Sequence, residues 1–334
     1  MTSVQPWVLP ANQPPERFYA GGERIAAFRG EAAARPHTPE DWVGSVTTLF
    51  GETDLGLSRL PTGELLVDAI VREPLAWLGA EHVAAHGAEP ALLVKLLDAG
   101  QRLPVHVHPD VPFAQRYLGL SHGKTEAWVF LEPAPVWLGW RRDVARAELL
   151  HWMAQQDVDA MLAAMHRVEA EAGEAILVPA GTPHAIGEGA FIVEVQEPTD
   201  LSVLLEWRDF AIDGPAAGHL GLGFDLALGA VVLEASIPLA IEALRQSSAR
   251  DEGDLLPDAE RFFRVQRSRG DASWDAGFSV AVVTAGAGEM TSASGHRLAL
   301  QRGVTVVTPH AAGAWRLSDH GGLEVLRCRP PAAQ

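Results

Sequence analysis

Residues 92–110 read LLVKLLDAGQRLPVHVHPD, and this stretch decides the expected fold. Two short apolar runs flank a bend that contains Gly100, which is the pattern of consecutive β-strands. His106 and His108 stand two residues apart on the second run. Alternate side chains of a strand point to the same face. If that face lines the interior of a β-barrel, both imidazoles reach one point.

The same strand pattern continues along the chain. Further apolar runs bounded by Gly, Pro or Asp are EAWVFLEPAP (126–135), AILVPAG (175–181), FIVEVQE (191–197) and LSVLLEW (201–207), and five more follow between 258 and 331. Residues 143–172 change period, with apolar residues at roughly helical spacing, which predicts a small helical insert, and 228–246 is a candidate for a further helix. Many short antiparallel strands favour a mainly β chain built of jelly-roll barrels.

The chain is long enough for two domains, and a weak repeat supports this division. VTVVTPHAAGAWRL (304–317) is similar to AILVPAGTPHAIGEGAFIV (175–193), although chance similarity between two apolar strands is the competing explanation. At 334 residues the chain exceeds what one hydrophobic core usually serves. We predict an N-terminal metal-binding domain over 1–245 and a degenerate β domain of related plan over 255–334, with 247–254 as the linker.

Composition narrows the classes of function. The formal net charge of −17 argues against nucleic-acid binding and against adsorption to anionic membranes. The single cysteine, Cys328, excludes an intramolecular disulfide and a cysteine-based zinc cluster. Neither a signal peptide nor an apolar run of membrane-spanning length is evident. The expectation is a cytoplasmic protein, monomeric or homodimeric, acting on a small molecule.

Two further residues complete a candidate metal site. Glu126 opens the next strand, and His184 stands in PAGTPHAI, where Gly181 permits the turn and Pro183 fixes the backbone before the imidazole, which orients it. Imidazoles with one carboxylate suit zinc with an open position for substrate, and manganese, iron or nickel would also fit. We therefore predict His106, His108, Glu126 and His184 as ligands of Zn²⁺ or another divalent metal.

The order of these motifs resembles a known family. LLVKLLDAGQRLPVHVHPD, GKTEAWVFL, LVPAGTPHAI and FIVEVQEPTD are similar to successive motifs of the type I mannose-6-phosphate isomerases, in their short bacterial form, and PEDWVGS (39–45) resembles an upstream segment. The resemblance implies two cupin barrels with a helical insert, a zinc ion and reversible aldose–ketose interconversion through an enediol. Matched by position, the family motifs imply His108, Glu126 and His184 as metal ligands. His106 stands where the family usually has glutamine. The resemblance also implies catalytic roles for Lys124 and Glu194.

The chain departs from the family where the substrate is held. Pro104 stands where a serine is usual, and Val203 where the family has an arginine. We predict that Arg208 contacts the substrate instead, with Arg141 and Arg142 as alternatives. The substrate is then mannose 6-phosphate or a related sugar. Two alternatives stay open, namely another metal-cupin enzyme such as a dioxygenase or epimerase acting on an unphosphorylated sugar, and a non-catalytic sugar-binding protein.

Overall fold

The computed structural model describes residues 4–31, 35–247 and 253–332. The predicted linker therefore lies mostly outside the described residues. The strands are β1 (Trp7–Val8), β2 (Glu40–Val43), β3 (Leu93–Asp98), β4 (His106–Val107), β5 (Glu126–Glu132), β6 (Ala134–Trp140), β7 (Met165–Ala170), β8 (Ala175–Val178), β9 (His184–Ile186), β10 (Phe191–Gln196), β11 (Val203–Leu204), β12 (Arg245–Gln246), β13 (Gly253–Asp254), β14 (Arg264–Arg269), β15 (Ala272–Trp274), β16 (Ser279–Ala285), β17 (Ala287–Ser292), β18 (Arg297–Gln301), β19 (Thr305–Thr308), β20 (Trp315–Asp319) and β21 (Glu324–Arg329).

The helices are short and connect or cover the strands. They are α1 (Arg24–Arg29), α2 (Leu66–Arg72), α3 (Pro74–Leu78), α4 (Ala80–His86), α5 (Val111–Phe113), α6 (Arg146–Gln155), α7 (Val158–Ala164), α8 (Gly214–Ala217), α9 (Phe224–Ala227) and α10 (Pro238–Ala243), with a π-helical segment at Ala114–Leu118 and single 3₁₀ turns at Leu228–Ala230, Pro257–Ala259 and His310–Ala312. Among the described residues, none of these helices has the length and apolarity to cross a membrane. The chain is mainly β, as predicted.

In the described part of the chain, the strands form four antiparallel sheets. The first pair of sheets has the strand orders β12-β8-β5-β10-β3-β2 and β11-β4-β9-β6-β7. The second pair has the orders β1-β19-β16-β21-β14-β13 and β15-β20-β17-β18. Strands that follow one another along the chain take the same positions in the two pairs of sheets. The order β4-β9-β6-β7 of the first pair corresponds to β15-β20-β17-β18 of the second, so that β9 corresponds to β20. This shared order gives the weak sequence repeat a structural counterpart.

The predicted helical segment ends earlier than its sequence period suggests. Helices α6 and α7 lie within 143–172, but the chain enters β7 at Met165 and pairs with β6. From Arg167 to Ala170 exposed and buried residues alternate, since Val168 and Ala170 are buried while Arg167 and Glu169 are exposed. This two-residue period places one face of the strand on the core.

The N-terminal segment is an integral part of both sheet pairs. Strand β1 pairs with β19 of the second pair. Helix α1 buries Ile25 and Phe28 in a core shared by both pairs. Arg29 binds Asp41 and donates to the Thr305 hydroxyl at 2.7 Å, which ties α1 to both halves of the molecule.

Candidate metal centre

Three histidines and one glutamate converge between the first two sheets. His106 lies on β4 opposite His184 on β9, and His108 follows two residues later, so that strand pairing and alternation bring the three rings together. Glu126 is the first residue of β5 in the facing sheet. Potential ligand atoms of the three histidines all lie within 4.8 Å of one another, and the rings are buried. The structure thus brings together all four residues that the sequence predicted.

Backbone carbonyls orient each imidazole. The Nδ1 atoms of His106, His108 and His184 lie 2.8, 2.6 and 2.8 Å from the carbonyl oxygens of Pro104, Leu201 and Thr182. A carbonyl only accepts hydrogen bonds, so each Nδ1 carries the hydrogen and each Nε2 presents a lone pair. Such outer hydrogen bonds fix the tautomer and direction of metal-binding histidines.

The carboxylate of Glu126 faces two of these lone pairs. Its Oε2 lies 3.0 Å from the Nε2 of His108, and its Oε1 lies 3.5 Å from the Nε2 of His184. The indole of Trp128 donates a hydrogen bond of 2.9 Å to Oε1. Glu126 Oε2 and His184 Nε2 are buried without a hydrogen bond of good geometry among the described residues. Buried polar atoms without a hydrogen bond are suited to bind a cation, and these two atoms would be ligands of the same ion.

Burial and the neighbouring charges set the protonation states of the three histidines and Glu126. Burial lowers the pKa of His106 well below the ordinary value and also lowers that of His184. Burial together with the positive charge of Lys124 lowers the pKa of His108 to about 3. Burial alone would raise the pKa of Glu126, but Lys124 and His108 outweigh it and bring the pKa well below 4.5. Neutral imidazoles and an ionised carboxylate are the states that metal ligands require.

Lys124 and Glu194, which were predicted to be catalytic, adjoin the four residues. The Nζ of Lys124 lies 2.8 Å from Glu126 Oε2, 2.9 Å from His108 Nε2 and 3.6 Å from Glu194 Oε1. Glu194 lies on β10 and also faces the Nζ of Lys95 at 3.5 Å. Burial raises the pKa of Glu194 despite the opposing charge of Lys95, so this carboxyl holds a proton more readily than an exposed one.

The structure does not bring Arg208 to this group. Its guanidinium donates to the Gln155 carbonyl at 2.6 Å, and Arg208 is absent from the residues that line the cavity beside the histidines. Val203 is buried in an apolar core, opposite Val107 on β4. Pro104 lines the cavity and accepts the hydrogen bond from His106.

A second group of charged residues, which sequence reasoning missed, lines the same cavity of about 40 Å³. Arg17 lies 3.1 Å from Glu40 and 3.5 Å from Asp200, and Lys95 lies 3.6 Å from Glu40. Tyr19 donates to Glu40 at 2.6 Å. Burial would raise the pKa of Glu40, but Arg17 and Lys95 outweigh it and lower the pKa to about 2.

One signal for this second group was present in the sequence. Lys95 is the one charged residue within the apolar run LLVKLL (92–97), and a lysine is rarely buried unless it is paired. Arg17 stands in a proline-rich segment without a periodic pattern, so nothing local pointed to its position. Only the path of the N-terminal segment across the first sheet pair reveals it.

Fold and centre together define a class of protein. It is an antiparallel two-part β protein whose first part holds three buried imidazoles and a carboxylate suited to a metal ion.

Comparison with known proteins agrees with this class. The mannose-6-phosphate isomerase of Streptococcus mutans is 30% identical over 322 residues, which cover 92% of this chain and 93% of the relative. Mannose-6-phosphate isomerase ManA of Bacillus subtilis is 34% identical over 117 residues, or 34% of this chain and 36% of ManA. No family model matches. The chain belongs to the mannose-6-phosphate isomerase family, which confirms the family predicted from the motifs.

Solved structures extend the likeness to the whole fold. The mannose 6-phosphate isomerase of Bacillus subtilis superposes with a TM-score of 0.75 at 20% identity, covering 98% of this chain and 100% of that one. A variant of the phosphomannose isomerase of Salmonella typhimurium gives 0.72 at 18% identity, with coverage of 98% and 100%. At these identities the likeness concerns the fold.

Proposed function

We propose that this chain is a metal-dependent aldose–ketose isomerase, which interconverts mannose 6-phosphate and fructose 6-phosphate or a related pair of sugars. The observation that carries the proposal is the convergence of His106, His108, His184 and Glu126, with every Nδ1 bonded to a carbonyl. The name of the Streptococcus mutans relative, which matches nearly the whole chain, supports the reaction.

The same proposal includes the double-cupin architecture. The matching strand orders of the two sheet pairs support an N-terminal catalytic cupin domain over 1–245 and a degenerate one over 255–334. Strand β1 then belongs by chain position to the first domain and by pairing to the second. The cytoplasmic location and the monomeric or homodimeric state stay predictions.

The four residues would hold Zn²⁺ or another divalent metal. Three imidazole nitrogens with one carboxylate are a donor set that zinc accepts, and manganese, iron and nickel accept it as well. When bound, such an ion polarises the substrate oxygens and lowers the cost of forming an enediol.

Glu194 is proposed to move the proton between carbon atoms. Its carboxylate would take the proton from C2 of the aldose, the C–H electron pair would become the C1–C2 double bond, and the π pair of the C1 carbonyl would move to O1, which gains a proton to give the enediol. In the second half O2 would lose its proton and form the C2 carbonyl, while the double-bond pair would take the proton back from Glu194 at C1. The proton that O2 gives up balances the one that O1 gained. The raised pKa of Glu194 favours this alternation because the protonated form is accessible. Lys124 presents a positive charge beside the position where the oxygens become negative.

Recognition of the substrate phosphate is a separate question. Arg208 remains a prediction, but its guanidinium is engaged with Gln155 outside the cavity lining. Arg17 is the arginine that lines the cavity, where it is held by Glu40 and Asp200. We propose Arg17 as a further candidate for this contact. Replacing each arginine by glutamine separates the two candidates. KM for mannose 6-phosphate should rise only when the arginine that binds the phosphate is replaced.

An unphosphorylated sugar is the second candidate substrate. The observation that favours it is the buried Val203, which cannot bind a phosphate where the family's arginine stands. Comparable turnover of free mannose and mannose 6-phosphate would support it. A non-catalytic sugar-binding protein would instead bind a sugar without exchanging its C2 proton, and a dioxygenase would lose activity in the absence of oxygen.

The reaction is tested by solvent exchange. Wild-type protein in deuterated water should introduce deuterium into mannose 6-phosphate during conversion, whereas His184→Ala should lose both metal and exchange. The matched control is His151→Ala, since His151 is exposed on α6. Exchange by metal-free His184→Ala at the wild-type rate would refute the proposed mechanism.

A further inference from the structure

Three arginines lie on one face of two neighbouring strands in the second sheet pair. Arg264 on β14 is directly opposite Arg329 on β21, and Arg327 precedes Arg329 by two residues on the same face. Like charges directly opposite each other on antiparallel strands are destabilising. This arrangement therefore needs a compensating negative charge.

The carboxylate nearest to them serves only two of the three arginines. Asp275 accepts two hydrogen bonds from Arg329, at 2.8 and 2.9 Å, and one of 2.6 Å from Arg327. Arg264 donates its Nε to the Pro330 carbonyl at 2.9 Å, and has no ion-pair partner within the described part of the chain.

Other acidic residues act on Arg264 only from farther away. Asp254 and Glu260 favour its charged form, but less than Asp275 does. The Nε of Arg329 is itself buried without a hydrogen bond in the residues described. Two guanidinium groups thus retain donors that the surrounding protein does not satisfy.

Arg264 and Arg329 line a cavity large enough for a ligand. The cavity has a volume of about 500 Å³ and lies between the junction of α3 and α4 and the second sheet pair, with Arg264, Arg329, His82 and His310 in its lining. Glu81 and Asp275 also line it; Glu81 is exposed, and Asp275 is the carboxylate already paired with Arg327 and Arg329. Burial lowers the pKa of Arg264, and the charge of Arg329 lowers it further, as expected for cations placed together without enough anions.

We propose that this cavity is a binding site for a small oxyanion, either inorganic phosphate or a phosphate monoester, held by Arg264 and Arg329. The planar fork of a guanidinium matches two oxygens of a phosphate. One bound dianion would bridge the two opposed arginines and remove their repulsion. The site lies in the second sheet pair, apart from the candidate metal centre in the first, and its existence does not depend on the proposed isomerase reaction.

Thermal unfolding of the full-length protein tests this site. At constant ionic strength, replacing chloride by phosphate should raise the Tm of the wild type, because a ligand that binds only the folded state stabilises it. Arg264→Gln should lose this rise, and in chloride its Tm should equal or exceed that of the wild type because the repulsion is gone. Arg261→Gln, which changes an exposed arginine three residues away, should keep the rise.

Several outcomes would overturn the proposal. These are a wild-type Tm that does not respond to phosphate, an Arg264→Gln variant that responds as fully as the wild type, and a lower Tm of that variant in chloride, which would show that Arg264 supports the fold by itself. Glycerol 2-phosphate in place of phosphate should also raise the Tm, because a monoester keeps the dianionic phosphate group. Acetate, a monoanion, should raise it less than phosphate at the same concentration, and an equal rise would show that the site does not select a dianion.

The candidate metal centre could also attract phosphate, so the measurement is repeated with that centre disabled. Chelator-treated wild type and His184→Ala should both retain the phosphate-dependent rise. If the rise disappears in both, the phosphate binds at the metal centre and the proposal for the second site is wrong. If the phosphate-dependent rise in Tm persists while the wild-type protein turns over no sugar, the oxyanion site stands and the isomerase proposal alone fails.

Discussion

The hydrogen bond from Trp128 to Glu126 offers the sharpest test of how the centre is built. The indole nitrogen lies 2.9 Å from Oε1, and Trp128 is fully buried. Trp128→Phe removes this donor and keeps an aromatic ring in the core. A hydrogen bond to a charged group contributes about 1.5–3 kcal/mol. At about 1.4 kcal/mol per factor of ten, its loss should weaken metal binding by roughly ten- to hundred-fold.

Trp77→Phe provides the matched control for this substitution. Trp77 is 2% exposed, and its indole nitrogen has no hydrogen-bond partner within the described residues. Both variants lose part of a buried ring, so both should lose some stability, but only Trp128→Phe should lose metal affinity. Competition with a chromogenic chelator measures the affinity of each. Equal affinities of Trp128→Phe and wild type would refute the assignment of Glu126 as a ligand oriented by Trp128.

Three further predictions follow from neighbouring residues. Glu194→Gln should bind metal normally but lower kcat by about 10²–10⁴-fold, the usual contribution of a general base; unchanged proton exchange at C2 would remove Glu194 from that role. Lys124→Met should lower kcat by at least about 100-fold. It should not weaken metal binding, because the Nζ of Lys124 competes with the metal ion for His108 and Glu126. An unaltered kcat would contradict this role. Glu40 has its pKa lowered from 4.5 to about 2, so its carboxylate stabilises the fold above pH 4.5 and loses this effect as the pH falls toward 2. The difference in Tm between wild type and Glu40→Gln should therefore shrink between pH 6 and pH 3, and a constant difference would show that the ion pairs of Glu40 do not stabilise the fold.

Strand alternation and motif order were enough to predict the centre itself. His106 and His108 share a face because they are two residues apart, and Glu126 and His184 each stand at the start of a strand, where the neighbouring strands meet. These are local properties of the sequence. Combined with the family resemblance, they also predicted the positions of Lys124 and Glu194 beside the four residues.

The residues that were missed depend on contacts distant in the chain. Arg17 meets Asp200 across 183 positions, and β1 pairs with a strand about 300 residues later, neither of which a local pattern can reveal. The end of the helical segment was missed for a different reason. Met165 and Val168 are three residues apart, which is a helical spacing, and pairing with β6 overrides it.

Metal content and coordination show whether the three histidines and Glu126 hold an ion. Elemental analysis of the protein purified without added metal, followed by X-ray absorption at the edge of the metal found, reports both the ion and its neighbours. We expect one zinc or other divalent ion per chain, surrounded by three imidazole nitrogens and a carboxylate oxygen, and loss of that ion in His184→Ala. A protein that binds no such ion, or binds it equally well in His184→Ala, would contradict this expectation.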